Sequence, residues 1–400
     1  MFRVNKKIFS FANPLVIYST VWLFVCFIYF IEFTNNIIGL NYKTKILIFS
    51  SILIFLLIYL TIFLFNLNRH KKTKQILTIE ILNSYNRLTK FENIINKIFN
   101  FWIYLTILEI IYFKGIPLVS VVLLKQYDLN YKNFGIPSLH GLLNSCYYTV
   151  VIGQLLLYLF KKEKKYIFRI ILLLFWPLLV MSRAVLLWVL VEIFSVILLF
   201  YNLSFKRFIK IFVSILLFIY IFGVIGDSRV ANANDFVTTN FVNDKYYNIA
   251  EKIPTGFVWV YLYATTPINN IVTNINNLNP NYTFKYSLAG LIPTFINKLI
   301  FDESDSGPMI LNNEAFNVSS FFANYLFDFG LFGSLIFVGI LQLISVLIYF
   351  TAITGKFGSV IAYSTIFYAL ITSIFFDNFI SLITIFQIIL GFYINRLVYK

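Results

Sequence analysis

Residues 161–210 read KKEKKYIFRIILLLFWPLLVMSRAVLLWVLVEIFSVILLFYNLSFKRFIK, an apolar stretch closed at both ends by basic clusters. Lys161, Lys162, Lys164 and Lys165 stand before it, and Lys206, Arg207 and Lys210 after it. Membrane-protein loops rich in Lys and Arg stay on the cytoplasmic side, so the chain between these clusters must cross a bilayer an even number of times. Drawn as one helix, residues 168–200 would run roughly 50 Å, too long for one crossing of a ~30 Å hydrocarbon layer and short for two. A hairpin whose tip stops below the outer surface resolves the mismatch. The tip is MSRAV, which sinks Arg183 slightly into the outer leaflet. A guanidinium there is costly unless it faces a wet cavity or an anion; the alternative is a side chain that snorkels to the interface.

The rest of the 400 residues supports the same class. Hydrophobic residues make up 60% and charged residues 12%, against about 45–50% and about 25% in ordinary soluble domains. Apolar runs at about 14–31, 46–67, 98–112, 139–160, 168–182, 184–200, 211–225, 322–351, 359–377 and 379–395 predict an all-α polytopic membrane protein with about ten transmembrane helices. The formal charge of +15 sits mainly in loops, and about two thirds of the 32 Lys and Arg fall on one predicted side. That asymmetry puts both termini in the cytoplasm and points to a lipid bilayer, not nucleic acid, as the partner. The N-terminal MFRVNKKIFSFANP leads into an apolar run with no small-residue cleavage site, and so reads as a retained first span. Cys26 and Cys146 both lie in apolar runs and offer neither a disulfide framework nor a CxxC metal site.

The chain divides into residues 1–225 with spans one to seven, a long outward-facing (periplasmic) loop over 226–321, and residues 322–400 with spans eight to ten. The long loop carries Asn runs, prolines, and eight acidic against five basic residues. Its apolar patches GFVWVYLYATTPINNI and YSLAGLIPTFINKLIF predict interfacial or re-entrant pieces. The mixed basic and amphipathic segment 68–97 reads as a surface helix held by anionic lipid.

Several polar residues stand out against this apolar background. Arg229, in GDSRV, would join Arg183 on the outer face, where two planar forks suit a phosphate or pyrophosphate; a local pair with Asp227 is the alternative. His140, in GIPSLHGLLNS, is one of two histidines and would serve as a general base, a sugar hydrogen-bonding group or a structural donor. Glu109 and Glu192 interrupt apolar runs and predict inter-helix hydrogen bonds, Glu192 lying about two and a half turns from Arg183 on the opposite face. Asp328 reads either as an acid/base group or as a capping charge. Trp259, Tyr261 and Tyr263 would stack on sugar rings or form an interfacial belt. The acidic run at 302–305 lacks companion ligands, so no metal is expected, and no Gly-rich phosphate loop marks a nucleotide cofactor.

Taken in order, KGIPLVSVV and FGIPSLHGLLNSCYY (114–148), SRAVLL (182–187), GDSR (226–229), PTGFVWVYLYATTPINN (254–270) and EAFNVSSFFANYLFDFGLFGSL (314–335) resemble the Wzy-type O-antigen (oligosaccharide repeat-unit) polymerases. The resemblance covers most of residues 100–340, and this chain has Ala184 where many of that family carry Gly after the hairpin arginine. It implies a GT-C-like membrane glycosyltransferase of the bacterial inner membrane. The substrates would be undecaprenyl-pyrophosphate-linked repeat units, joined on the periplasmic face into O-antigen or capsule-type polysaccharide, with no cofactor and a chain-length-regulating co-polymerase as partner. Under that reading Arg183 and Arg229 meet the departing pyrophosphate and His140 or Asp328 the attacking hydroxyl. Trp259, Tyr261, Tyr263, Glu192 and Asp227 line the substrate path. An O-antigen ligase, which would transfer to a lipid A core, and a lipid-linked oligosaccharide flippase are the alternatives. The long outer loop and the lack of an inverted repeat speak against the flippase.

Overall fold

The computed structural model of the chain describes residues 11–70, 84–126, 134–201, 239–292, 309–312 and 318–400, with isolated positions at 209, 213, 220 and 296. Six helices among them are long and apolar enough to cross a membrane: α2 (Tyr42–His70), α3 (Ser84–Phe113), α4 (Leu139–Lys161), α7 (Arg183–Phe200), α9 (Phe322–Ala352) and α11 (Leu382–Tyr399). Two shorter apolar helices, α1 (Pro14–Tyr29) and α10 (Phe357–Thr372), pack among them. Helices α5 (Lys164–Leu174) and α6 (Trp176–Leu179) lead into α7, and α8 (Thr255–Asn276) belongs to the long loop. The chain is an α-helical membrane protein. The predicted span at 211–225 lies outside the described residues apart from single positions.

Burial follows the helical period. On α1, Tyr18, Trp22, Val25 and Tyr29 are buried on one face, while Leu23, Phe24 and Phe27 are exposed on the other. The same split divides α2 between buried Leu47, Ile48, Phe55 and Tyr59 and exposed Phe49, Leu53, Leu57 and Leu64. Exposed rows of large apolar side chains are what a lipid-facing surface requires. Helices α4 and α10 are buried nearly all round and form the two centres of the bundle. Around α4 pack α3, α5, α7 and α11, while α1, α2 and α9 form the other side, with α10 between. Where α10 crosses α11 the backbones touch. A Cβ added at Gly358 would come within 1.8 Å of the Gly391 carbonyl oxygen, so no larger residue fits there.

The contacts separate two ends. At the basic end, Lys161 of α4 binds Glu92 of α3, and Asn395 of α11 accepts from the Gly358 amide of α10. At the loop end, α3 finishes beside the start of α4, and Ser145 of α4 donates to the Ile383 carbonyl at the start of α11. Helix α9 runs parallel to α2, with Gln342 on the Ser51 carbonyl and Phe350 on Tyr59. It breaks at Gly330, whose φ of +67° is open to glycine at little cost.

The structure defines two of the amphipathic segments, and for one of them the expectation changes. The described part of the 68–97 segment does not lie apart as a surface helix: residues 84–97 are the first turns of α3, continuous with its apolar length. Phe91 stacks on Phe357 at 4.4 Å, and Ile95 fills the space over Gly153. Glu92 and Asn96 turn toward α4 and α5, where Tyr166 donates to Glu92 at 2.7 Å and Arg169 to Asn96 at 3.0 Å. The first apolar patch of the long loop is one helix, α8, packed on α1, α2 and α9. Its asparagines explain the Asn-rich composition. Asn269 accepts from the Tyr29 hydroxyl and the Ile38 amide, Asn270 accepts from the Asn312 amide and donates to Val318, and Asn274 brackets both polar groups of Ile310. Each buried amide side chain pairs with backbone groups of the partly exposed loop segments that pass over α8.

Candidate functional site

The loop end carries the described residues best suited to chemistry. His140 occupies the first turn of α4, preceded by Gly135 at φ +101° and Ser138 at φ +69°. This bent entry presses the imidazole onto the bare face of Gly135: a Cβ there would lie 2.7 Å from the ring. On its other side the ring meets the edge of Phe134 at 5.6 Å. Its Nδ1 lies 3.0 Å from Glu109 Oε2, and the Ile136 amide donates to Glu109 Oε1 at 3.1 Å. The glutamate side chain is 1% exposed and the histidine 28%. A carboxylate only accepts, so this pairing puts the hydrogen on Nδ1 and leaves Nε2 as the acceptor. The arrangement is that of an imidazole oriented by a buried acid with its second nitrogen available.

The reversal that carries Arg183 falls at Val180–Ser182, between α6 and α7, at the predicted hairpin tip. Met181 takes φ +59°, Ser182 caps the helix by accepting from the Val185 amide, and Arg183 is the first residue of α7, exposed. A cation at a helix N-terminus opposes the helix dipole, and the two together form a local positive field that attracts an anion. The turn is tied to His140 through aromatic contacts. Trp176 of α6 meets Phe134 at 5.9 Å, and Phe134 meets His140.

Asp328 also reaches this end but is used differently. It is fully buried, and its carboxylate accepts from the Ser287 amide (2.7 Å), the Ser287 hydroxyl (2.6 Å), the Tyr286 amide (3.2 Å) and the Thr283 hydroxyl (3.4 Å). This geometry clamps residues 283–287 onto α9. The clamp borders the α10–α11 connection, because Gly290 packs against the Ile380 carbonyl, and Gly141 beside His140 faces Leu382 and Ile383.

Asp377, in that connection, was not singled out in the sequence. It accepts from the Tyr325 hydroxyl and from the Phe379 and Ile380 amides. Burial pushes its carboxyl up to about 6, against the opposing pull of those hydrogen bonds.

The aromatic candidates on α8 separate. Tyr261 accepts from the Phe33 amide at 2.9 Å and packs edge-on to the Phe33 ring. Trp259 rests against a small cluster containing Phe241 and Val258, its indole N–H buried without a partner among the described residues, and Tyr263 is exposed 6.5 Å from it. Glu192 lies nine residues into α7, about 13 Å along the helix from Arg183. It accepts from Trp188 Nε1 and Gln387 Nε2, each at 2.8 Å, with Ser364 Oγ at 3.2 Å. Trp188 is itself sandwiched between Tyr148 and Tyr368. This is the inter-helix hydrogen bonding expected of Glu192, and it joins α7, α10 and α11 in the core. Arg229 and Asp227 lie outside the described residues.

The structure therefore brings His140, Glu109 and Arg183 to one end, beside Asp328 and Asp377. The pairing of Glu109 with His140 was not legible in the sequence. Glu109 stood out as a lone acid in an apolar run, but its partner lies 31 positions away on another helix. No family model, no curated protein and no solved structure matches the chain.

Proposed function

We propose that the chain is a membrane glycosyltransferase that extends a polyprenyl-pyrophosphate-linked oligosaccharide at its loop end, in the manner of the repeat-unit polymerases it resembles. The observation that carries the reading is the Glu109–His140 pair, a partly exposed base held by a buried acid at the rim of a membrane bundle. In the proposed reaction an acceptor sugar hydroxyl gives its proton to His140 Nε2 as its oxygen bonds to the donor's anomeric carbon. The bond from that carbon to the pyrophosphate breaks, and its electron pair leaves with the phosphate oxygen. Arg183 and the α7 N-terminus would stabilise the charge developing on that group. His140 is preferred over Asp328 as the base, because four protein donors already occupy the Asp328 carboxylate.

The periplasmic placement of the loop end, the bacterial inner membrane and the co-polymerase partner belong to this proposal. It is tested with purified protein in nanodiscs given undecaprenyl-pyrophosphate-linked repeat units. Wild-type protein should yield a ladder spaced by one repeat, and Arg183→Ala should abolish it while the protein remains monodisperse. Transfer only to a lipid A core would assign the ligase reaction instead.

A further inference from the structure

The basic end holds a second site. A cavity of about 410 Å³ opens there between the start of α3 and the end of α11, lined by Asn86, Arg87, Lys90 and Asn93 on one wall and Tyr399 and Lys400 on the other. Its volume falls in the range of ligand-binding clefts, about 300–1,000 Å³. We infer that this cavity binds the phosphate of an anionic membrane phospholipid.

Three observations carry the inference. First, the cavity is cationic, with Arg87, Lys90 and Lys400 in its lining, and Arg87 is held 5.4 Å over the Tyr399 ring. The Tyr399 hydroxyl accepts from the Phe357 amide, and Lys356, outside the lining, lies 5.8 Å from the same ring. No acidic side chain is among the described lining residues. Glu92, the acid of that helical turn, is committed to Lys161, Lys165 and Tyr166 on the other side. Asparagine amides beside the cations supply further donors to a phosphate oxygen.

Second, the cavity stands at headgroup depth. The apolar part of α3, Asn86–Phe113, has 28 residues, about 42 Å, some 12 Å more than the ~30 Å hydrocarbon layer. Lys97 is the first cation on α3 before its apolar run, and Lys90 and Arg87 lie about two to three turns beyond it. Third, an apolar track leads away from the cavity. Ile389, Tyr393 and Leu397 form one exposed row along α11, at 56%, 55% and 40% exposure, and Lys400 of the cavity lining follows Leu397 at i+3. A phosphate in the cavity can therefore lay its acyl chains on that row, which a soluble anion has no use for. Basic pockets between helices at a membrane surface recognise anionic headgroups by the same electrostatics.

Native mass spectrometry of the delipidated full-length protein tests the proposal, with phosphatidylglycerol, phosphatidylcholine and inorganic phosphate offered in separate titrations. Phosphatidylglycerol should bind at least tenfold more tightly than phosphatidylcholine. The Arg87→Gln/Lys90→Gln double variant should lose that preference, and Lys97→Gln, an exposed cation further along α3, should keep it. Equal retention of both lipids by the wild-type protein, which needs no variant to fold, would overturn the site. Retained preference in the folded double variant would do the same. Inorganic phosphate displacing phosphatidylglycerol at comparable concentration would assign the cavity to a soluble anion and overturn the lipid.

Discussion

Two glutamates in apolar helices serve the molecule in opposite ways. Glu192, in the core, spends its carboxylate on Trp188, Gln387 and Ser364, tying three helices together with neither oxygen turned to a surface. Glu109, near the loop end, divides its oxygens between a backbone amide and an imidazole that is itself partly exposed. One acid ends a network and the other passes its influence outward. Burial alone does not separate them, since Glu192 is 0% and Glu109 1% exposed. What separates them is where a neighbour's spare polar atom lies: Gln387 keeps its Oε1 buried in the core, whereas the His140 ring is 28% exposed. On the proposed reading, the rule that a charged residue inside a membrane marks a functional site narrows to acids whose partners reach a surface.

The comparison breaks most readily at Glu192. Glu192→Ala orphans buried donors, each costing about 1–3 kcal/mol, and so should lower thermal stability in detergent more than any other single change considered. Glu192→Gln should recover most of that loss. If Glu192→Ala melted with the wild type, the core network would have no structural weight.

The next largest effect is on rate. His140→Gln should reduce glycosyl transfer about 10²–10⁴-fold, the usual contribution of a positioned base, with thermal stability nearly unchanged. A rate within twofold of wild type would remove His140 from the reaction.

Glu109→Gln sharpens the contrast further. The Ile136 amide can only donate, so it should claim the single carbonyl oxygen of the glutamine, leaving the NH₂ group toward His140. The imidazole can respond by moving its hydrogen from Nδ1 to Nε2. Nitrogen-15 spectra of histidine-labelled protein should show that tautomer change, read in a His70→Asn background so that a single histidine signal remains. An unchanged tautomer would mean that Glu109 does not orient the ring.

The smallest effect concerns pH. The folded state raises the Asp377 carboxyl to about 6, so it binds that proton more tightly than the unfolded chain does. The stability this provides is full below pH ~4 and is lost as pH rises through about 6. Melting curves over that range should flatten in Asp377→Asn, which keeps an acceptor for the Phe379 and Ile380 amides. Identical slopes in the two proteins would place the dependence elsewhere.

Local chemistry in the sequence foretold much of the fold. Apolar length predicted the helices, and basic clusters flanking 168–200 predicted a reversal at MSRAV, where α6 gives way to α7. Charge alone misled in part at residues 84–97, because Glu92 and Asn96 are matched by Lys161, Tyr166 and Arg169, although Arg87 and Lys90 line the cavity at the basic end. Such a match depends on which helices become neighbours, and composition is silent on that. The site was legible only residue by residue. His140 and Arg183 stood out by scarcity and position, whereas the acid behind His140 and the burial of Asp377 exist only once α3 meets α4 and α9 meets the 373–381 connection.

The central claim is that chemistry, and not transport, takes place at the loop end. The most direct measurement counts free undecaprenyl pyrophosphate by mass spectrometry as the reconstituted protein consumes carrier-linked repeat units. Release should rise in step with the glycosidic bonds formed and stop in both Arg183→Ala and His140→Gln. Repeat units that cross the bilayer with their carrier still attached, and no release above a protein-free control, would contradict the account.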